Sequence, residues 1–316
     1  MKQKLIFRFN QVKTSIVPDE LPAISAVVVT YRPEGALLEN LRRILSQVPT
    51  VIVVDNGSEG PSAQRVEAAG NLAGVQLIRN EANLGIATAL NIAIRRALQI
   101  GSQWVATFDQ DSAIPDHFFQ DLLRAYNACP ATEKVGMVAP GKWSTGAASP
   151  AQPPNREEPL FSFVRGAITS GSLIRAEVFE PVGFYDDALF IDYVDVDFCL
   201  RMQKHGFKVL NAAQVVLEHE LGTKQTRNLL GYPLSFRIHA AWRYYYNIRN
   251  RLLLYRRYLT AFPRWVLRDA VWLVLELGRI TCLETGRGPK LQAVFQGFRD
   301  GLCGKTGRHP DYPPTC

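Results

Sequence analysis

The hydrophobic and polar positions of the chain follow two alternating patterns over residues 24–108. Short apolar runs rich in β-branched residues predict strands at 24–30, 51–54, 75–78 and 104–108. Apolar residues spaced three and four apart, from Leu37 to Leu45 and from Ala87 to Leu98, predict helices between them. Strands that alternate with helices in this way predict an α/β fold with a mostly parallel sheet and right-handed crossovers.

The fourth run, WVATF, ends abruptly at Asp109, Gln110 and Asp111. A short apolar run with a polar end is typical of a strand buried on both faces of a parallel sheet. Two carboxylates two residues apart at the exit of such a strand can converge on a hard cation, Mg²⁺ or Mn²⁺, which can in turn bridge a diphosphate. The alternative interpretation is that Asp111 and Ser112 cap a helix that begins near Pro115.

Polar residues also follow the other three predicted strands. Thr30-Tyr31-Arg32, Asp55-Asn56 and Arg79-Asn80 come directly after their apolar runs. In open α/β sheets, ligands bind beyond the carboxyl ends of the strands. Four polar clusters at one edge therefore favour a binding site over four unrelated turns. The chain has neither GxGxxG nor GxxxxGK[ST], so a dinucleotide fold and a P-loop are not supported.

A second acidic cluster stands in the segment FIDYVDVDFCLR. A helix that begins near Val194 would pair Asp197 with Arg201 at spacing i, i+4, which is a structural role. Asp195 has no cationic partner in the sequence and lies near the helix start, where the dipole keeps a carboxylate ionised, as a general base requires. The alternative for Asp195 is helix capping.

The rest of the second half gives weaker patterns. Residues 144–158 are rich in Ala, Pro, Ser and Asn and predict a loop. Residues 166–175 predict a strand whose glycine-containing kink leaves room for a ligand or forms a β-bulge. Two short strands are predicted at 207–210 and 215–217, before His219.

Composition narrows the class of protein. With 316 residues, 47% hydrophobic and 21% charged, the chain suits one large α/β domain or a domain with an appendage, and excludes an extended disordered chain. A net charge of +7 favours anionic partners. Five scattered cysteines without zinc spacing predict reduced thiols in a cytosolic protein. Neither a signal peptide nor a membrane-spanning run is indicated.

The last third is basic and aromatic. Between 235 and 260, a helical face carries Trp242, Tyr245, Leu252, Leu253 and Leu259, interrupted by two arginines, and residues 265–280 repeat the composition. Such helices suit an anionic membrane interface. The alternative is a helix that packs on the catalytic domain with snorkelling arginines. The predicted organisation is an entry segment (1–23), a catalytic domain (24–230), a helical extension (231–300) and a loose tail (301–316).

Several short motifs follow one another in a fixed order between residues 24 and 222. They are VVVTYR (27–32), VVDNGS (53–58), NxxNxGxAxAxN (80–91), FDQDS (108–112), SG (170–171), DxDFCxR (195–201) and HxxG (219–222). Each motif alone is modest, but the ordered set resembles the family 2 inverting glycosyltransferases of GT-A fold, most closely their bacterial rhamnosyltransferase branch. The Asp-Gln-Asp form and the run from Asp195 to Arg201 favour that branch.

The resemblance implies which residues hold the donor. Thr30, Arg32 and Asp55 would bind the nucleotide, with the Asp55 carboxylate accepting a hydrogen bond from the base N3–H. Asn83 and Gln110 fall in the nucleotide-sugar region.

The resemblance also implies the reacting groups. Asp109 and Asp111 would bind the ribose and a divalent metal, Mg²⁺ or Mn²⁺, whose shell His219 would complete. Asp195 falls on the general-base position. A secondary role in acceptor binding is predicted for Ser170, Gly171, Asp192 and Arg249, the last towards the phosphates of a lipid-diphosphate acceptor.

The predicted activity is therefore metal-dependent, inverting transfer of a sugar, L-rhamnose from dTDP-rhamnose, to a saccharide or lipid-linked saccharide in cell-surface polysaccharide (O-antigen) synthesis. The predicted location is the cytoplasm, with peripheral attachment to the inner face of the plasma membrane left open. One alternative is another dTDP- or UDP-sugar donor.

A nucleotidyltransferase would need a glycine-rich phosphate loop after the first strand, which Thr30-Tyr31-Arg32-Pro33 does not supply. A nucleic-acid-binding protein is disfavoured because the positive charge is concentrated after residue 235 while the strand edge is acidic. The oligomeric state stays open.

Overall fold

The structure is a computed structural model that describes residues 21–144, 159–218, 224–229 and 232–313. The strands are Ile24–Thr30 (β1), Thr50–Asp55 (β2), Val75–Arg79 (β3), Trp104–Asp109 (β4), Val135–Ser144 (β5), Phe161–Val164 (β6), Ser172–Arg175 (β7), Lys208–Glu218 (β8), Lys224–Leu229 (β9) and Tyr232–Arg237 (β10). The helices are Leu37–Leu45 (α1), Gly60–Gly70 (α2), Ile86–Gln99 (α3), Phe118–Asn127 (α4), Phe179–Val182 (α5), Val194–Lys204 (α6), Ala241–Tyr258 (α7), Pro263–Cys282 (α8) and Arg287–Leu302 (α9).

Within these described residues, eight strands form one mixed sheet in the order β3-β2-β1-β4-β7-β5-β8-β6. The first four strands of the chain are parallel neighbours, whereas β7 runs antiparallel to both β4 and β5. The predicted α/β class with a mostly parallel sheet is confirmed. The alternation of helices and strands forces this outcome because each helix carries the chain back to the same starting edge.

The strand register decides which polar clusters meet. Thr30 lies opposite Asp55, Val29 lies opposite Asp109, and Asp55 lies opposite Arg79. The four polar clusters therefore share one edge of the sheet, as predicted.

Two predicted elements differ in the structure. Of the predicted strand 166–175, only Ser172–Arg175 is a strand, and Gly171 directly before it has a left-handed backbone (φ 78°). The predicted strands 207–210 and 215–217 are the two ends of one strand, β8, which is irregular in its pairing with β5 near Pro140. The capping alternative for Asp111 is also wrong, since α4 begins at Phe118, beyond Pro115.

The sheet separates two hydrophobic clusters. One contains Leu37 and Leu41 of α1 with Phe118 and Phe119 of α4. The other combines α3 and α6 with residues of the C-terminal helices, including Leu254, Tyr258 and Val266. The C-terminal helices thus supply part of the core of the catalytic domain. The predicted domain boundary at residue 230 falls within the β9–β10 hairpin.

Helix α7 does not present the face that periodicity predicts. Tyr245 is buried while Leu259 is 57% exposed, and Arg249 lies inside the protein. The segment after α9 is packed rather than loose, since Tyr312 stacks on Tyr245 with ring centroids 4.7 Å apart and the His309 N–H donates to the Tyr246 hydroxyl. In the described part of the chain, every helix is too short or too polar to span a bilayer.

Candidate active site

The ends of β1 and β2 form a closed hydrogen-bonded turn around Asp55. Its Oδ1 accepts from Thr30 Oγ1 at 3.1 Å and from Ser58 Oγ at 2.5 Å, and its Oδ2 accepts from the Ser58 N–H at 3.0 Å. Both Thr30 and Asp55 are fully buried. In this arrangement the Asp55 carboxylate organises the turn, and its contact with a nucleotide base stays a prediction that requires the turn to open.

Arg32 and Gln110 connect the turn around Asp55 with the loops that follow β1 and β4. Arg32 has a left-handed backbone (φ 47°) and an exposed side chain, and its N–H donates to Ser58 Oγ. The Gln110 side-chain Oε1 accepts from the Tyr31 N–H at 2.9 Å. The Gln110 backbone carbonyl accepts from Asn40 Nδ2 at 3.2 Å. Gln110 therefore fixes the loop after β1 against the loop after β4.

Asn83 belongs to an amide network at the start of α3. Its Oδ1 accepts from Asn56 Nδ2 and from the Gly85 N–H, both at 2.9 Å. Asn56 in turn accepts from Asn80 Nδ2 at 3.1 Å. Asn56 is buried at the centre of this network and was not among the predicted site residues, although its position directly after β2 could have identified it.

The loop that carries Asp109 and Asp111 after β4, called the acidic loop below, is anchored by hydrogen bonds to Ser170. The Asp109 N–H donates to Ser170 Oγ at 3.2 Å, and Ser170 Oγ lies 2.5 Å from Ser112 Oγ. Ser170 is buried, and the Gly171 N–H donates to the Thr107 carbonyl. The prediction that Ser170 contacts the acceptor is therefore wrong for this structure, because its hydroxyl is enclosed by the acidic loop.

The acidic loop also meets the end of β8. The backbone of Ala113 pairs with that of Glu218 through N–H···O bonds of 2.9 and 3.1 Å. His219, the predicted third metal ligand, lies outside the described residues. Asp109 and Asp111 are partly exposed carboxylates of the kind that hard divalent cations prefer, so the donor set fits the predicted metal. No cluster of three potential metal ligands occurs among the residues that the structure places.

Asp195 lies in the first turn of α6, and its Oδ1 accepts from the Val196 N–H at 2.8 Å. Burial raises the pKa of the Asp195 carboxyl to about 6; the Val196 N–H opposes this rise, and the carboxylates of Asp192 and Asp109 reinforce it. Asp109 and Asp195 are therefore near enough for their charges to interact. Desolvation is the largest influence on this carboxyl, and the prediction that Asp195 is an ionised general base stays a prediction.

Arg243 of α7 completes this charged cluster. Its guanidinium donates to the Asp192 carboxylate at 3.0 and 3.1 Å. Asp192 is the main reason that the pKa of Arg243 is raised, with smaller contributions from Asp109 and Asp195. Sequence reasoning missed Arg243, because its partner Asp192 is 51 residues away in the chain.

The segment that leads into α6 is strained and braced. Phe190, Asp192 and Tyr193 all have left-handed backbones, with φ between 61° and 65°. Such conformations persist only where the surroundings enforce them. The Asn250 side chain on α7 donates to the carbonyls of Leu189, Ile191 and Asp192, at 2.7 to 2.9 Å. Asn250 is fully buried and is a second residue that the sequence did not reveal.

Arg249 does not serve the predicted role. It is 1% exposed, and its guanidinium donates to the backbone carbonyls of Gly307 and Leu189. The prediction that it meets acceptor phosphates is wrong, because the segment after α9 covers it. By contrast, the predicted Asp197–Arg201 pair is present at 2.8 Å, and Asp197 also binds Arg257 at 2.6 Å.

Residues 25–182, half of the chain, match the model of glycosyl transferase family 2. The chain therefore belongs to glycosyl transferase family 2 and is a glycosyltransferase.

Individual relatives refine this picture. The chain is 29% identical to the dTDP-rhamnosyl transferase RfbF of Shigella flexneri over 304 residues. This alignment covers 90% of the chain and 97% of RfbF. The fold is shared with GalNAc-T7 in complex with UDP, GalNAc and Mn²⁺ (TM-score 0.58, 13% identity, 90% of this chain and 56% of that one). It is also shared with the mannosyltransferase PcManGT of Pyrobaculum calidifontis in complex with GDP-Man and Mn²⁺ (TM-score 0.54, 17% identity, 91% and 89%).

Proposed function

We propose that the enzyme transfers L-rhamnose from dTDP-rhamnose to a saccharide or lipid-linked saccharide, in a metal-dependent reaction that inverts the anomeric centre. The observation that supports the proposal is that two carboxyl groups from distant segments interact: the charge of Asp109 at the end of β4 contributes to the raised pKa of Asp195 in the first turn of α6. The extensive similarity to a dTDP-rhamnosyl transferase supports the choice of donor.

In this proposal the donor lies along the ends of β1, β2 and β4. Thr30, Arg32, Asp55, Asn83 and Gln110 shape the nucleotide pocket. An aspartate that accepts from a base N3–H accommodates thymine and uracil alike, so a UDP- or another dTDP-sugar is the alternative donor.

Asp109 and Asp111, with His219 as a third ligand, would hold Mg²⁺ or Mn²⁺. When bound, such an ion acts as a Lewis acid that stabilises the negative charge developing on the leaving diphosphate. The two aspartates keep their orientation because Ser170 and Gln110 anchor the loop between β4 and α4.

Asp195 is the proposed general base. It accepts the proton of the acceptor hydroxyl while that oxygen attacks the anomeric carbon from the face opposite the diphosphate. A carboxyl with a pKa of about 6 is ionised at neutral pH, yet it is a stronger base than an ordinary aspartate. Asp192, paired with Arg243, borders the acceptor side.

We further propose that the protein works in the cytoplasm, attached peripherally to the inner face of the plasma membrane. The outer face of α8 carries the apolar side chains of Leu267, Val271, Val274 and Leu275, each at least 54% exposed. Arg264 and Arg268 are exposed on the same helix, and the chain has a net charge of +7. Apolar side chains beside cations match a bilayer surface that contains anionic lipids.

The deciding experiment is a transfer and thermal-shift assay with dTDP-rhamnose, other dTDP- and UDP-sugars, Mg²⁺, Mn²⁺ and EDTA. We expect dTDP-rhamnose with a divalent cation to raise the melting temperature most. Asp109→Ala should abolish the metal-dependent part of donor binding. Asp121→Ala, which removes an exposed carboxylate of α4, is the matched control and should leave it unchanged.

Two results would contradict the proposal. Donor binding by Asp109→Ala that equals wild type, with and without metal, would remove the aspartate from the site. Salt-dependent affinity for DNA without binding of any nucleotide-sugar would favour the nucleic-acid alternative.

A further inference from the structure

A tight backbone turn centred on Phe190 comes shortly before α6. Phe190 has φ 65° and ψ −64°, and the Ile191 N–H donates to the Leu189 carbonyl at 2.8 Å. This is a γ-turn with a positive central φ, a form that is rare and strained. Phe190 is only 2% exposed, so a large buried side chain occupies a backbone conformation that glycine would adopt without strain. Strain of this kind is concentrated at functional sites.

The start of α3 holds one side of the turn. The Phe190 carbonyl accepts from the N–H of Ile86, the first residue of α3, at 2.8 Å. Gly85 lies so close to Phe190 that a Cβ there would come within 2.6 Å of the Phe190 ring and carbonyl. Gly85 also belongs to the amide network described above, since its N–H donates to Asn83 Oδ1 and its carbonyl accepts from Asn56 Nδ2. The network that follows β2 therefore contacts the turn directly.

Further along α3, two polar side chains hold the segment that leads into the turn. Asn91 is 1% exposed, and its side chain donates to the Tyr185 carbonyl at 2.8 Å and accepts from the Tyr185 N–H at 2.9 Å. Thr88 and Asn91 both donate to the Asp187 carboxylate, at 3.0 and 2.7 Å. Helix α3 thus fixes the path of the chain over the residues before Phe190.

Helix α7 holds the other side of the turn through the aromatic ring. The Phe190 ring stacks on the Tyr246 ring, with centroids 5.1 Å apart and 25° between the planes. The Tyr246 ring in turn contacts the rings of Trp242 and Tyr245 edge-on. The turn is therefore enclosed between α3 and α7, and Asp195 follows it in the first turn of α6.

We propose that Phe190 is a positioning residue for the transfer reaction: its turn connects the start of α3 to the start of α6, and its ring fixes that connection against Tyr246. The position of the Asp195 carboxylate thereby depends on the helix whose amide network borders the proposed nucleotide residues. The strain at Phe190 is tolerated because the ring is what the position requires. This inference rests on the proposed function, because it takes Asp195 as the base.

Phe190→Gly tests the turn, because glycine adopts the same backbone but lacks the ring that fixes it. We expect kcat to fall roughly 10- to 100-fold, since a displacement of about 1 Å causes such a loss, while the Kd of dTDP is unchanged. Release of the start of α6 also admits water to Asp195, so the pKa of its carboxyl should fall from about 6 towards 3.8. NMR titration of ¹³C-labelled carboxyl groups measures this pKa, and Asp195→Asn identifies the signal.

Tyr246→Leu and Tyr246→Phe form a matched pair at the stacking partner. Both remove the hydroxyl that accepts from the His309 N–H, and only Tyr246→Phe keeps the ring. Tyr246→Leu should lower kcat roughly 10-fold and lower the pKa of Asp195, whereas Tyr246→Phe should change neither. Since Tyr246→Leu keeps an apolar side chain and leaves the turn itself intact, this pair decides the question if Phe190→Gly does not fold.

Ile44→Ala is the control for stability. Ile44 is buried in the other hydrophobic cluster, with α1 and α4. Its truncation should lower the melting temperature, because it leaves a cavity, and should keep the kcat and the Asp195 pKa of wild type.

Two outcomes would overturn the inference: Phe190→Gly with the kcat and Asp195 pKa of wild type, or equal effects of Tyr246→Leu and Tyr246→Phe. The titration needs no turnover, so it separates this inference from the proposed function. Wild type that transfers no sugar, with an Asp195 pKa that falls in Phe190→Gly and Tyr246→Leu, refutes the function and leaves the connection between Phe190 and Asp195. Wild type that transfers sugar, with Phe190 and Tyr246 variants that equal it, refutes only the role of Phe190.

Discussion

At the scale of single residues, Asp195 shows how a fold changes the acidity of an ordinary side chain. Removal from water raises the pKa of its carboxyl to about 6, and the acidic neighbours Asp192 and Asp109 add to the rise. Asp197, two positions later on the same helix, is fully buried but paired with Arg201 and Arg257. The two aspartates therefore have different surroundings: Asp197 is paired with cations, and Asp195 is the one for which we propose a chemical role.

The pKa of Asp195 sets a prediction for the pH dependence. Since the base must be ionised, kcat/KM should fall below an apparent pKa of about 6, compared with 3.8 for an ordinary aspartate. Asp195→Asn should lower turnover by roughly 10²- to 10⁴-fold, remove the acidic limb from the residual rate, and preserve donor binding. Steady-state kinetics across the pH range measures all three. Lost donor affinity with unchanged turnover would be inconsistent with the role of base.

The same pKa predicts a cost in stability. Because the pKa of Asp195 is higher in the folded state than its ordinary value of 3.8, the folded protein binds the proton more tightly than the unfolded chain. The free energy of unfolding therefore falls as the pH rises from about 4 to about 6, and stays reduced above that range. Asp195→Asn should raise the melting temperature at about pH 8 and leave it unchanged at about pH 4. A variant that melts below wild type at the higher pH would contradict this.

At the scale of elements, α7 contacts the segments around the candidate active site through several polar side chains. It holds the strained entry to α6 through Asn250 and Asp192 through Arg243. Near its other end, Arg257 binds both Asp186 and Asp197. Helix α7 thus connects to the catalytic domain at several points along its length, which is why its periodicity alone describes it poorly.

Substitutions of Asn250 and Asn247 test whether polar contacts of α7 position the segment that leads into α6. Asn250→Ala removes a donor from the carbonyls of Ile191 and Asp192, whereas the Leu189 carbonyl keeps the Arg249 guanidinium, so we expect a loss of about 1–3 kcal/mol in the free energy of unfolding. It should also lower kcat, because the segment that positions Asp195 is released, while the Kd of the donor is unchanged.

Asn247 provides the control because its Oδ1 is buried without a hydrogen-bond partner. Asn247→Ala should therefore be neutral or stabilising and should leave kcat unchanged. Urea unfolding together with steady-state kinetics compares the two variants. Equal effects of both substitutions would mean that α7 acts only as a packed helix.

At the scale of the whole molecule, the described C-terminal helices have two different surfaces. Their inner side contributes Leu254, Tyr258 and Val266 to a core shared with the sheet. Their outer side, on α8, exposes apolar residues such as Val271 and Leu275 to solvent. An apolar surface of this kind indicates a partner, which we propose to be an anionic bilayer.

Vesicle sedimentation tests this surface. Wild type should bind vesicles that contain anionic lipid, and bind them more weakly at high salt, because screening reduces the attraction of the arginines. Val271→Asp should abolish binding, since it places a charge in the centre of the apolar face. Ile100→Asp, at the exposed end of α3, is the control and should bind as wild type does. Equal binding of both variants, or equal binding to neutral vesicles, would exclude the proposed surface.

The candidate site was only partly predictable from the sequence. Strand ends are local features, so the positions of Thr30, Asp55 and Asp109 at one edge followed from apolar periodicity and the rules of parallel sheets. Arg243 and Asn250 could not be found in this way, because each acts on a partner more than 50 residues away. Arg249 was misassigned for the same reason, since the segment after α9 that covers it lies 58 residues further along the chain.

What the sequence determined by itself was the order of strands and helices, the edge at which polar residues gather, and the resemblance that its ordered motifs carry. These properties depend on neighbours a few residues apart. Only the tertiary structure decided which carboxylates interact, which arginines are buried, and how far the pKa of Asp195 rises. Those outcomes depend on desolvation and on contacts between distant segments, which no local pattern encodes.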